Sequence, residues 1–149
     1  MVGLGLSILL YLIGTGRYTG LGTNLISQSF AGAEGKSLIS GADWFLKLLF
    51  TVTTIAAGYK GGEVTPLFAI GATLGVFLAP MLGLPVLVVA AIGYASVFGS
   101  ATTTLLAPIL IGGEVFGYDN LPFFVIACAI AYCLPKEWSI YSGQKVAKK

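Results

Sequence analysis

Charge is the scarcest commodity in this sequence. Only 9% of its 149 residues are Asp, Glu, Lys or Arg, against about 25% in an ordinary soluble domain. Between Glu63 and Glu114 there is none at all for 50 residues. That stretch is more than twice the roughly 20 apolar residues needed to cross a bilayer as a helix. A chain this size could form one soluble domain, but it lacks the charge to solvate such a surface. Lipid is therefore the expected solvent for most of it. Histidine is also missing, which excludes the familiar His-based metal and acid–base sites, and no cofactor or metal is expected. The two cysteines, Cys128 and Cys133, fall in one apolar segment and read as small hydrophobes, not as a disulfide or metal pair. The net charge of +2 is too small to argue for nucleic acid. The absence of His, the low charge and the long apolar runs together oppose a soluble enzyme.

What is present is hydrophobic residues, 56% of the chain, and glycine, 21 residues. Abundant glycine suits close helix packing in membranes. The apolar residues fall into segments separated by breakers: about Val2 to Ile13, Ala42 to Gly58, Pro66 to Leu82, Pro85 to Phe98, Thr103 to Phe116 and Leu121 to Leu134. A short helix is expected over Leu25 to Phe30, a polar loop over Gly32 to Gly41, and an amphipathic last piece from near Trp138. Segments of this length span roughly 18–25 Å at 1.5 Å per residue, less than the roughly 30 Å hydrocarbon core. Several helices should therefore end inside the bilayer, where exposed backbone is tolerated only against protein or a watery cavity. Interrupted hydrophobic segments of this kind point to an ion site. The fold class is all-α: a polytopic membrane protein with short and re-entrant helices. Lys145, Lys148 and Lys149 at the end place the C-terminus on the cytoplasmic side. The N-terminus lacks the basic region of a signal peptide and reads as a chain entered partway through a helix.

The informative break is Gly61-Gly62-Glu63-Val64-Thr65-Pro66. Gly61 and Gly62 permit unusual dihedrals and close approach to a ligand. Pro66 fits the first position of a helix, with Thr65 as its N-cap. The helix start then offers free amides, including those of Val64 and Thr65, with a partial positive charge, a natural anion site. No Lys or Arg is required there, since a full charge would hold the anion too tightly for turnover. An ionisable residue at membrane depth is a functional candidate by default, and burial favours the neutral form of Glu63. In that form it would exchange a proton or donate a hydrogen bond to a small basic anion. The alternatives are that Glu63 caps amides or faces a vestibule without titrating, and that Thr65 is a plain N-cap. Tyr141, in Ile140-Tyr141-Ser142, can donate its phenol to an anion or anchor the chain at the interface. Physics alone favours the anchor. Glu114 is expected in a structural role. Tyr94, Phe123 and Phe124 are expected to pack.

At these residues the chain resembles the CLC family of chloride channels and anion/proton antiporters. The family pattern Gly-Gly-x-x-x-Pro followed by a small-residue helix is matched by Gly61-Gly62-Glu63-Val64-Thr65-Pro66 and Ala69-Ile70-Gly71-Ala72. Glu63 and Thr65 at the variable positions are similar to the fluoride-exporting CLC-F branch, and Tyr141 matches the Tyr that opens the family's last helix. The resemblance implies that residues 1–149 form the C-terminal half of a CLC-type inverted-repeat transporter, with the first half absent. It implies a homodimer in the cell's inner membrane, with Glu114 and the Gly117-Tyr118-Asp119-Asn120 turn in the paired surface. Glu63, Val64, Thr65 and Tyr141 would line the ion pathway, and Gly61, Gly62 and Pro66 would shape the anion-site loop. The implied activity is fluoride/proton antiport by the complete assembly. The alternatives are a chloride channel and a non-transporting fragment or pairing subunit. Thr103-Thr104-Leu105 departs from the Pro-containing sequence usual in the family.

Overall fold

The structure, a computed structural model, describes residues 5, 8, 11–13, 17–31, 39–59, 61–133 and 139–141. Among them there is helix and no strand. After the helical residues at 5, 8 and 11–13, the elements are α1 (Thr23–Ala31), α2 (Asp43–Ala56), α3 (Val64–Leu82), α4 (Val86–Thr102), α5 (Leu106–Phe116), a 3-10 turn (Tyr118–Asn120) and α6 (Leu121–Cys133). The 19-residue α3 is long and apolar enough to cross a membrane, while α4, α5 and α6 are apolar but shorter, as the segment lengths predict. The amphipathic piece expected from near Trp138 falls outside the described residues except for 139–141, which are not helical, and the terminal lysines also lie outside.

The start of α3 and the end of α4 differ from the sequence expectation, each for a physical reason. Helix α3 starts at Val64, two residues before Pro66, with Glu63 and not Thr65 in the N-cap position. Pro66 is thus the third helical residue, still inside the first turn, where its missing N–H has no intrahelical acceptor to lose. Pro108 occupies the same position in α5. Helix α4 does not close at Gly99 and Ser100 but runs on to Thr102. Gly99 serves packing instead, because a Cβ there would lie 2.9 Å from Pro108 Cγ. The helix ends at Thr103, left-handed with φ 50°, so the stretch that departs from the family pattern makes the turn into α5.

The pair α3 and α4 forms the centre. They run antiparallel, with Gly71 against Gly93 and Gly75 against Val89. A Cβ on Gly71 would lie 2.2 Å from the Gly93 carbonyl oxygen, and one on Gly75 would lie 2.4 Å from that of Val89. The backbones meet without side chains between them, the close approach that small residues permit between membrane helices. Two clusters flank the pair. Ala91, Ala95, Ile109, Phe124 and Cys128 join α4 to α5 and α6. Tyr18, Leu25, Phe50 and Ala69 join the loop after residue 17, α1, α2 and α3. Aromatic rings bridge them: Phe68 stacks on Tyr94 at 4.2 Å, and Phe116 meets Phe30 at 4.7 Å and Tyr94 at 5.4 Å. Tyr94 and Phe124 are therefore packing residues, whereas Phe123 is exposed. Both cysteines are free, Cys128 buried and Cys133 exposed.

Four threonine hydroxyls are satisfied within their own helices. Thr51, Thr54, Thr73 and Thr102 each donate to the carbonyl four residues earlier. Such internal pairing is what a bilayer demands of a polar group.

Candidate anion site

Helix α2 ends at Ala56, and Gly58 turns the chain with φ +83°. The chain then passes Gly61 and Gly62 and enters α3. A Cβ at Gly61 would meet nothing within 4 Å, and one at Gly62 only Leu21 at 3.5 Å, so this strand of backbone is open on its outer side. Glu63 is half-buried and makes no side-chain capping bond to its helix. The amides of Val64 and Thr65 are the first two of the helix and have no intrahelical acceptor. The start of α3 thus presents unpaired N–H groups beside a carboxyl that does not cover them.

Gly61, Gly62, Glu63 and Pro66 border one cavity of about 440 Å³. Its opposite wall comes from the loop carrying Tyr18, Gly20 and Leu21 and from one face of α2, including Lys47, Phe50, Thr51 and Thr54. Val64 and Thr65 are half-buried and do not border this space. Tyr141 is 46% exposed and lies in coil, its neighbour Ile140 donating a backbone hydrogen bond to Ala101 O at 3.0 Å. Ala101 is near the end of α4. Because α3 and α4 are antiparallel, Tyr141 sits at the same end of the bundle as Glu63 but outside the cavity wall. Glu114 is exposed near the end of α5.

The loop wall is held by two charged residues, one helical turn apart on α2, that sequence reasoning passed over. Asp43 is 1% exposed. It accepts hydrogen bonds from Tyr18 Oη and the Ser40 amide and pairs with Arg17 at 2.9 Å. Lys47 is 2% exposed, and its Nζ donates to the carbonyls of Tyr18 at 3.0 Å and Gly20 at 2.9 Å. Gly22, with φ +81°, makes room for it, since a Cβ there would fall 2.8 Å from Lys47 Cε and 3.0 Å from Ala69 Cβ on α3. The signal was present: an ionisable residue inside an apolar helix is a candidate wherever it stands, and the rule that singles out Glu63 applies equally to Lys47. Among the described residues no cluster of metal-ligating side chains occurs.

The uncovered start of α3 stands beside a largely apolar cavity that Glu63 and Pro66 border, and amides with one carboxyl are donors of the kind that suit a small anion. Comparison with known proteins agrees with that chemistry. The family described as voltage gated chloride channel matches residues 1–136. A chloride/fluoride channel protein of Pseudomonas syringae pv. tomato is 45% identical over 130 residues, which cover 87% of this chain and 28% of that protein. The crystal structure of a CLC-type fluoride/proton antiporter superposes with a TM-score of 0.87 at 60% identity, over 95% of this chain and 35% of that one. The chain thus spans about a third or less of the relatives it matches. It belongs to the voltage-gated chloride channel family, whose members are membrane ion transporters and channels, and it is an all-helical integral membrane protein.

Proposed function

We propose that the assembly containing this chain moves fluoride across the cell's inner membrane in exchange for protons, removing it from the cytoplasm. The observation that carries this reading is Glu63: it occupies the N-cap position of α3, caps nothing, and borders a cavity. A carboxyl engaged in capping would be an acceptor locked to its own helix. A carboxyl left open beside unpaired amides serves an anion in two ways. Protonated, it donates a hydrogen bond to fluoride, a strong acceptor; ionised, it repels the anion and releases it. Taking its proton from outside and giving it up to the cytoplasm, one group alternating between these forms exchanges inward protons for outward anions. The Val64 and Thr65 amides add partial positive charge from the start of α3. Gly61 and Gly62 keep side chains out of the approach, and Pro66 fixes the first turn. Tyr141, at the same end of the bundle but outside the cavity wall, supplies a phenolic donor further along the ion's path. The fluoride in the names of both relatives supports the choice of anion.

The chain acts as the C-terminal half of the transport domain, paired with an N-terminal half, within a homodimer built on the Glu114 end of α5, the 3-10 turn and α6. It is multi-pass with a cytoplasmic C-terminus. Chloride conduction is the competing reading, because chloride stands beside fluoride in the name of the Pseudomonas relative.

The test is efflux from liposomes, read with a fluoride electrode beside a chloride electrode. This chain alone is compared with the chain joined to an N-terminal half, each with and without Glu63→Gln. Fluoride-selective efflux that Glu63→Gln abolishes is the expected result. Chloride flux equal to fluoride flux, or undiminished fluoride flux in Glu63→Gln, would overturn the assignment.

A further inference from the structure

Resting on the fluoride-transport reading, we infer that Lys47 is a positioning and attracting residue of that pathway. It places a fixed positive charge in the wall of the Glu63 cavity, which draws the anion in before it reaches the amides of α3.

The argument begins with the cost of the residue. A lysine 2% exposed inside an apolar helix loses its hydration, and cores rarely keep one unless it is paired or used. Among the described residues it forms no ion pair. Asp43, one turn earlier, is engaged by Arg17, Tyr18 and the Ser40 amide, and Arg17 offsets its charge. Among the described residues of the loop and α2, Arg17, Asp43 and Lys47 therefore sum to one net positive, located at Lys47, and Glu63 is the carboxyl that shares its cavity from the start of α3.

The partners of Lys47 are neutral carbonyls, those of Tyr18 and Gly20. They stabilise an ammonium by their dipoles without cancelling its charge. They also fix its place: two hydrogen bonds hold a side chain that would otherwise have several rotamers. An ammonium has three donors, so one remains beyond these two carbonyls, and the residue borders the same cavity as Glu63. Gly22 completes the arrangement, because any Cβ there would strike the lysine stem.

This is compatible with the expectation that no Lys or Arg is required at the helix start. The anion is bound at partial charges on the helix start, which release it. The full charge stands across the cavity, where it raises the local anion concentration without gripping the ion. Clefts with low-dielectric walls focus such a field. The hydrogen bonds give Lys47 a structural duty as well, holding the loop against α2, and the two duties separate experimentally. Glutamine carries two amide donors for the two carbonyls but no charge. Arginine keeps the charge.

The experiment is the fluoride-concentration dependence of efflux from proteoliposomes of the transport-competent protein containing this chain, with rates normalised to folded protein from size-exclusion chromatography. For Lys47→Gln the half-saturating fluoride concentration should rise about fivefold or more, on the order of one unit charge acting across a wet cavity, and the salt sensitivity of the wild type should be lost. Lys47→Arg should stay within about twofold of wild type, since it retains the charge. A Lys47→Gln protein that loses maximal rate or thermal stability while keeping the wild-type half-saturation would show that Lys47 only holds the loop, and would overturn the inference. Should Lys47→Gln yield no folded protein, the salt series on the wild type decides. Half-saturation rising with an inert salt supports the inference, and a flat dependence overturns it. Absence of fluoride flux in the wild type would instead strike the transport reading itself.

Discussion

Replacing Gly71 by alanine tests the central packing of the molecule with a single carbon atom. In an isolated helix the change would help, since Ala is favoured over Gly by about 1 kcal/mol. In this protein the added Cβ would lie 2.2 Å from the Gly93 carbonyl oxygen, 2.8 Å from its carbon and 3.1 Å from Val97 Cβ. The shortest approach falls 1.2 Å below the 3.4 Å at which ordinary contact begins. The atoms it meets first are backbone, so no side-chain rotation relieves the clash, and α4 must move away from α3. Overpacking of a close-packed interior costs about 1–3 kcal/mol. A backbone-to-backbone clash belongs at the upper end, so we expect a net loss of about 2 kcal/mol after the propensity gain. At about 2–4 °C per kcal/mol for a chain of this size, melting in detergent should fall by roughly 4–8 °C. Gly83→Ala is the control. That glycine has φ +65° and open space around it, so it carries only the left-handed penalty of about 1–2 kcal/mol. Melting curves of both variants, followed by intrinsic fluorescence, check the reasoning. A Gly71→Ala protein as stable as wild type, or more stable than Gly83→Ala, would refute the close backbone contact.

Three further outcomes follow. Glu63→Gln should leave the melting temperature within a few degrees of wild type while removing fluoride efflux, because the carboxyl makes no capping bond whose loss could unfold the helix start. Thr103→Gly should raise stability by about 1 kcal/mol, since it relieves a left-handed threonine and removes a buried hydroxyl without a hydrogen-bond partner; calorimetry in detergent measures it. Asp43→Asn should lower stability by about 2 kcal/mol. Breaking a fully buried ion pair costs more, but the Arg17 side chain is 25% exposed and water relieves part of the loss. Thermal melts of Asp43→Asn beside Tyr18→Phe would check it, with the smaller fall expected for the tyrosine.

The sequence disclosed those features that depend on neighbours in the chain. Apolar runs between glycine and proline breaks located α2 to α6, because a bilayer leaves the backbone little choice but helix. The break at Gly61 and Gly62 and the carboxyl of Glu63 were visible for the same reason: an ionisable residue at such a place is rarely idle. Where reading failed, the deciding partner was far off. Gly99 looked like a stop, but Pro108 requires its bare Cα, and nothing local says so. Thr65 looked like a cap, but Pro66 is equally at home anywhere in the first turn. The cavity wall was invisible because Lys47 reaches carbonyls 29 and 27 residues earlier in the chain, and no periodicity encodes that return. Gly71, Gly75 and Gly93 could be counted as small residues, yet which of them touch is a property of the crossing.

These distant contacts converge on one element. Helix α3 carries the unpaired amides and Glu63 at its start, Ala69 against Gly22 one turn further on, and Gly71 and Gly75 against α4 beyond that. The first contact ties it to the loop that Lys47 and Asp43 hold, and the others tie it to the helix whose end meets the Tyr141 segment. An anion site made of backbone amides has no side chain that can adjust to the ion, so its geometry is only as good as the placing of the helix that bears it. Two glycine contacts without intervening side chains give that placing little slack, and the charged clamp fixes the opposite wall. On the proposed reading the scarcity of charge serves the site: with few ions competing in a low-dielectric surround, partial charges at the start of α3 and the Lys47 ammonium would be enough to hold and guide an anion.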